Sequence, residues 1–213
     1  MQNFIFDFDG TLADSGKTAV LATQAAFRDF NLKEPTAATV QYYMGIPIEV
    51  SFKKMADRDF SDESFAELLD TFRSYYKDLE MNSISLFPQM ENVLHQLFND
   101  GRTLFVVSSK HSVALQRNLE RLAIAPYFKS VCGSDQVAHF KPAPDGILNL
   151  LEGFQLNERE SVMIGDAIYD LQMGKAANVQ TCGVTWGAHD LALLQKEKPN
   201  YLVSEVNQLL ELE

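Results

Sequence analysis

Short apolar runs that alternate with longer segments of helical period constrain this chain more than any other feature. The runs are NFIFDF, TLFVVSS, SVMIG and VQTCGV, with weaker candidates in KSVCG and NYLVS. Their β-branched and aromatic content reads as strand, and most lack polar alternation, as parallel strands covered on both faces do. Between them, MENVLHQLFND (90–100), SVALQRNLERLA (112–123), PDGILNLLEGF (144–154) and IYDLQMGKAAN (168–178) space their apolar residues by three and four, which gives each helix one apolar face. Strands that alternate with amphipathic helices predict an α/β fold: a doubly wound parallel sheet with helices packed on it.

One region breaks the alternation. From about Ser15 to about Ser83 there is no strand pattern, only helical segments such as KTAVLATQAAFRDF, EVSFKKMADRDF and ESFAELLDTFRSYYKDL. The expectation is an all-helical cap inserted after the first strand, over residues 15–82, with 1–14 and 83–213 forming the α/β domain. SISLFPQM, with its turn-prone proline, is where the chain re-enters the sheet.

The charge balance narrows the partners. Lys and Arg number 18 against 29 Asp and Glu, a formal net charge of -11, so there is no basic field to hold a nucleic-acid backbone. No run approaches the ~20 apolar residues of a membrane span, and the chain is expected to be cytoplasmic. Cys132 and Cys182 lie far apart without a CxxC or a His-rich segment, the pattern of two reduced, buried thiols rather than zinc ligands or a disulfide. Histidines 95, 111, 139 and 189 share no spacing and are read as ordinary residues.

In open α/β sheets ligands bind outside the carboxyl ends of the strands, so the polar residues that close each run carry the chemical argument. The first run closes with Asp7, Asp9 and Gly10. One residue apart on extended chain, the two acids start on the same face, and they repel unless a cation shares them. A lone DxDG reads equally well as a turn cap. The second run closes with Ser108, Ser109 and Lys110, hydroxyls that can meet an anion or cap the helix that follows. Lys141 precedes a proline in FKPAPD, which stiffens the chain, although a single lysine is usually a solvated charge. SVMIG closes with Asp166 and, one helical turn on, Asp170; helix capping by Asp166 is the competing explanation. Taken together and in this order, the four strand ends read as a metal and phosphate site, acids for a hard divalent cation and hydroxyls with a lysine for phosphoryl oxygens.

On these residues the chain resembles the haloacid dehalogenase superfamily of phosphohydrolases. FDFDGTLADS is similar to its D-x-D-G-T motif, Ser108 to the Ser/Thr of its second motif, Lys141 to the third and GDAIYD to the fourth, and VTWG (184–187) extends the similarity. The phosphoglycolate phosphatase-like branch is the most similar, and there GIP (45–47) would begin a cap element that faces the site. The resemblance implies a Rossmann-like core and a Mg²⁺-dependent phosphatase acting on a small phosphorylated metabolite. Asp7 would be the nucleophile, Asp9 the general acid and base, and Ser108, Ser109 and Lys141 the phosphate-binding residues. The metal would be held by Asp7, Asp9 through its main-chain carbonyl, and Asp166, with Asp170 as a further ligand or a partner through water. Neither nucleic acid nor a membrane is an expected partner; a homodimer is an expected assembly.

SSK departs from the Thr-Asn-Lys or Ser-Asn-Lys of that branch, at Ser109. Asp9 argues against the halide-cleaving members, which lack this second acid. Thr11, where phosphomutases generally carry valine, favours a phosphatase over a β-phosphoglucomutase-like enzyme, the alternative within the family. From another class, a signalling receiver module and a non-catalytic phosphate-binding protein built on the same fold are the alternatives; motif order and the helical insert count against the receiver. The cap cations Lys17, Lys53, Lys54, Arg58, Arg73 and Lys77 are candidates to attract an anionic leaving group, against a default of solvated helix faces.

Overall fold

In the computed structural model, which describes residues 1–213, eight strands occur in chain order: β1 (Asn3–Phe6), β2 (Ala13–Asp14), β3 (Ser85–Leu86), β4 (Thr103–Val107), β5 (Phe128–Cys132), β6 (Ser161–Gly165), β7 (Gln180–Val184) and β8 (Tyr201–Val203). Six of them form one sheet in the order β5–β4–β1–β6–β7–β8, every neighbouring pair parallel. Each corresponds to one of the apolar runs. The chain steps outward from β1 to β4 and β5, then restarts on the other side of β1 with β6, so the direction of winding reverses beside β1. That reversal opens the crevice in which doubly wound sheets bind ligands.

The absence of polar alternation has a direct structural cause. Phe4 and Phe6 of β1, Leu104 and Val106 of β4, and Val162 and Ile164 of β6 belong to one buried cluster, whereas Ile5, Phe105, Val107 and Met163 belong to another. The first face is covered by α5 (Met90–Asn99), α6 (Ser112–Arg121) and a C-terminal 3-10 turn over Val206–Glu211; the second by α7 (Asp145–Phe154) and α8 (Ile168–Ala176). Period-two side chains thus meet helices in both directions, and either face needs apolar residues. Cys182 lies in the first cluster and Cys132 in the second, both buried and unpaired.

Between β2 and β3 lie α1 (Gly16–Asp29), α2 (Ala37–Tyr42), α3 (Ile48–Met55) and α4 (Asp62–Ser83). The Ser61 hydroxyl accepts the Ser64 N–H at 3.2 Å and starts α4. Helix α3 stops at Met55, short of the segment that ran on to Phe60, because Ala56 is extended and the following DRD offers no apolar residue to bury. Phe27 of α1, Phe52 of α3 and Phe72 of α4 meet edge to face at centroid distances of 5.2 and 5.0 Å, the favourable geometry for aromatic pairs. Helix α9 (Leu191–Lys196), capped by Asp190, and the antiparallel pairing of β2 with β3 were not anticipated. That pairing ties together the two connections through which the chain enters and leaves the helical segment. No helix is long and apolar enough to cross a membrane.

Candidate active site

Asp7 follows β1 directly, and its N–H still continues the ladder by donating to the Ile164 carbonyl at 2.9 Å. Asp166 occupies the equivalent position after β6, and Asp170 sits in the first turn of α8. Carboxylate oxygens of these three buried acids all lie within 4.8 Å of one another. Lys141, also buried, reaches into the group, its Nζ donating to Asp7 Oδ1 and Asp170 Oδ1, each at 2.7 Å. That is the one hydrogen bond to the Asp7 carboxylate, so Oδ2 has no protein donor.

The surroundings hold the acids in place. Asp166 Oδ1 accepts the Thr11 hydroxyl at 2.8 Å and Oδ2 accepts the Ala188 N–H at 2.6 Å. Asp170 Oδ2 accepts the Ala167 N–H at 3.0 Å, so it is Asp170 that caps the start of α8, whereas Asp166, for which capping was the competing explanation, is bonded to Thr11 and Ala188 instead. Gly10 has φ of +85°, and a Cβ there would lie 2.3 Å from Asp166 Oδ2; only glycine permits both the turn and the approach. The VTWG stretch joins in through Trp186, whose indole N–H donates to the Thr11 carbonyl at 3.1 Å.

Three carboxylates against one ammonium leave uncompensated negative charge. Burial raises the Asp7 pKa well above the usual carboxylate range, and the charges of Asp170 and Asp166 add to it, outweighing the opposing pull of Lys141. Asp166 is pushed up to about 7, by burial first and then by the charge of Asp170. Lys141 is driven the other way: burial disfavours its charge, but Asp170 and Asp7 outweigh that and raise its pKa. A further cation would relieve the group, and the all-oxygen donor set suits a hard divalent ion. The Asp9 main-chain carbonyl receives no hydrogen bond, which leaves it free as another oxygen donor.

The Asp9 side chain turns away from this cluster. Its Oδ1 accepts from the Ser15 hydroxyl at 2.7 Å, from Lys110 Nζ at 2.9 Å and from the Tyr76 phenol at 3.3 Å. Lys110 Nζ also donates to Tyr76 Oη at 2.8 Å and Asn118 Oδ1 at 3.2 Å, completing its three bonds. Asn118 in turn donates to the buried Glu80, which Arg117 also binds at 2.6 Å. Tyr76 and Glu80 belong to α4, so a polar chain runs from Asp9 into the helical segment. Lys110, Tyr76, Ser15 and Thr11 were not singled out as site residues. A signal existed for α4: Tyr76 and Glu80 stand on the same stripe as Phe65, Leu69 and Phe72, and an acid on an apolar stripe asks for a buried partner.

Of the two serines, Ser108 is buried and its Oγ accepts the Lys110 N–H at 3.2 Å. Ser109 does something different, donating its hydroxyl to the Gly45 carbonyl at 2.7 Å. Gly45 has φ of +98°, and a Cβ there would meet the Ala167 Cβ at 2.9 Å, so the GIP segment packs against the loop that carries Asp166. His189 braces the same junction: it is buried, accepts the Ile168 N–H through Nδ1 at 3.2 Å and lies 2.9 Å from the Tyr42 carbonyl through Nε2. A ring whose Nδ1 accepts must carry its proton on Nε2.

The model of the haloacid dehalogenase-like hydrolase family matches residues 4–184, a span from β1 to the end of β7 that includes every residue of the buried cluster. The chain belongs to this family. Its relatives include the pyrophosphatase PpaX of Oceanobacillus iheyensis, 26% identical over 100% of this chain and 96% of the relative. The phosphoglycolate phosphatase of Aquifex aeolicus is 27% identical over the same shares. Among solved structures, a haloacid dehalogenase-like hydrolase from Streptococcus pneumoniae is 28% identical, with a TM-score of 0.86, over 99% of this chain and 97% of that one. Another, from Bacteroides fragilis, has a TM-score of 0.91 over 98% and 99% of the two chains; at 24% identity it speaks for the fold. As a member of this family the protein is a hydrolase with a Rossmann-like α/β fold.

Proposed function

We propose that this hydrolase is a Mg²⁺-dependent phosphatase that cleaves a small phosphomonoester through a phosphoryl group carried on Asp7. The observation behind the reading is the buried convergence of Asp7, Asp166 and Asp170 on Lys141 at the mouth of the sheet. Asp7, Asp166 and the Asp9 carbonyl would hold the ion, with Asp170 beside them. When bound, Mg²⁺ offsets the negative charge that the acids and the phosphoryl group bring together.

In the first step Asp7 Oδ2 attacks phosphorus, the bond from phosphorus to the ester oxygen breaks, and Asp9 gives a proton to the departing oxygen. In the second, Asp9 takes a proton from water as the water oxygen attacks the acyl phosphate, which releases inorganic phosphate and restores Asp7. Lys141 and Ser108 bind the phosphoryl oxygens as charge develops on them, and Lys141 offsets the charge of Asp7. Residues 15–82 act as the cap over a core of 1–14 and 83–213, with Tyr76 reaching Asp9 when the two are together.

The test is phosphate release from 4-nitrophenyl phosphate in Mg²⁺, with and without EDTA, followed by mass spectrometry of acid-quenched enzyme. Turnover that EDTA abolishes and Mg²⁺ restores, with a phosphoryl group on the Asp7 peptide, is expected. Sustained turnover in EDTA, or no turnover at all, overturns the reading.

A further inference from the structure

A cavity of about 540 Å³ lies between the helical segment and the start of α6, and Asp9, Ser109 and Lys110 form its floor. It therefore adjoins the proposed chemistry through Asp9, on the side where that residue would protonate a leaving group. Its volume falls in the range of about 300–1,000 Å³ typical of sites that enclose drug-sized ligands. A two-carbon leaving group would leave most of it unfilled.

The surface of the cavity is mostly apolar, with Thr23, Ser51, His111 and Ser134 among the polar residues that share it. Ile46 and Ile48 from the GIP segment and α3, Phe52 and Met55 from α3, and Phe72 from α4 line the upper part. The charged side chains that also line it are mostly neutralised within the protein. Arg73 is held by Glu49 and Asp70, each at 2.8 Å; Arg117 by Glu80 at 2.6 Å; Lys110 by Asp9 at 2.9 Å. Lys77 lines the cavity without an ion pair but is exposed, where water screens its charge. The other four cap cations do not line it: Lys53 and Lys54 stack on Phe65 and Tyr43, Arg58 donates to the Phe30 carbonyl, and Lys17 faces a separate cleft beside Trp186. A carboxylate or second phosphate entering this cavity would lose its hydration without finding a free, sheltered cation, and burying such a charge unpaired is costly.

We infer that the leaving group is neutral and apolar, an alcohol of aromatic or branched aliphatic body, in place of a short anionic acid or a second phosphate. This rests on the phosphatase reading for its chemistry, but the cavity's preference can be measured without turnover. In the bound ester the apolar body lies against Ile48, Phe52 and Phe72 while the phosphoryl group reaches Ser108 and Lys141.

The experiment has a binding arm and a turnover arm, both with the full chain and Mg²⁺. In the first, 3-phenylpropylphosphonate and 3-phosphonopropionate are titrated calorimetrically. Burial of the phenyl ring should make the former bind about tenfold tighter or more; equal or reversed affinities overturn the inference. In the second, 2-phenylethyl phosphate is compared with ethyl phosphate, whose leaving group has similar acidity, and with phosphoglycolate and pyrophosphate. The phenylethyl ester should have the highest kcat/KM, and Ile48→Trp, which narrows the cavity, should lower that value about tenfold, a larger factor than for ethyl phosphate. A ranking led by phosphoglycolate or pyrophosphate overturns the inference and leaves the phosphatase reading intact. Loss of turnover on every ester with the phosphonate preference preserved does the reverse.

Discussion

Lys110 Nζ lies 2.9 Å from Asp9 Oδ1 while donating to Tyr76 Oη at 2.8 Å, so a lysine just beyond β4 and a tyrosine of α4 meet on one carboxylate. Burial works against the charge on Lys110, but Asp9 and then Tyr76 outweigh it and raise its pKa, so the ammonium persists. The Tyr76 phenol is raised as well, by burial and then by Asp9, and keeps its proton to donate. Both groups therefore aim the Asp9 carboxylate. Asp9→Asn should lower turnover by ~10² or more through loss of acid and base help. Lys110→Met should lower kcat by about tenfold, and the double variant should be no worse than Asp9→Asn alone, since groups acting as a unit are non-additive. Fully additive losses in that cycle would argue that Lys110 acts independently of Asp9.

Asp7→Asn should abolish turnover, because an amide is neither a nucleophile nor an anionic ligand. It should not cost stability in EDTA. The folded-state pKa of Asp7 is raised, so its ionised form is disfavoured by folding, and a neutral isostere removes that penalty even as it weakens one of the two bonds from Lys141. The metal-free variant should melt about 2 °C higher than the parent, or more. A lower melting temperature by calorimetry would mean that the contact with Lys141 outweighs the crowding.

As a proposed ligand, Asp166 should make Mg²⁺ binding pH-dependent. Its folded pKa of about 7 lies above the usual carboxylate value of 3.8, owing to burial and then to Asp170. The folded, metal-free protein thus binds this proton more tightly than the unfolded chain does. The corresponding stability is present below 3.8 and is lost as pH rises to about 7, so metal-free protein should melt lower at pH 8 than at pH 6 on account of this group. Mg²⁺ competes with the same proton and should bind about tenfold more weakly at pH 6 than at pH 8, releasing a proton as it binds. Titration calorimetry in buffers of different ionisation enthalpy measures both effects; pH-independent affinity would contradict this assignment.

Strands β1, β4, β6 and β7 were legible because they are buried on both faces, which leaves a run of apolar residues without polar interruption, whereas the edge strands β5, with Lys129 exposed, and β8 gave weaker signals. The residues closing β1 and β6 were legible for the same reason, since an acid directly after such a run stands out. What could not be read were contacts created by packing α4 over the sheet. Lys110 stood in plain view after Ser109, but its partners Tyr76 and Asn118 lie 34 and 8 residues away, and no local pattern links them. The β2–β3 pair has two residues per strand, too few for a period to appear. Ser109 had the chemistry of an anion ligand; its tie to Gly45 depends on where the GIP segment folds back.

Ser108 and Ser109 are adjacent in sequence yet should behave differently when altered. Ser108 is buried below the mouth of the sheet and makes no bond to the helical segment, so Ser108→Ala should lower kcat/KM by a similar factor for every phosphomonoester, about tenfold, as loss of a contact to the group they share. Ser109 donates to the Gly45 carbonyl, which holds the segment that forms one wall of the cavity. Ser109→Ala should therefore act unevenly, raising KM for esters with a bulky leaving group while changing ethyl phosphate little. Measured over the same ester series, a uniform loss for Ser109→Ala would instead make Ser109 a phosphate ligand like its neighbour, with the Gly45 bond exchanged for one to substrate.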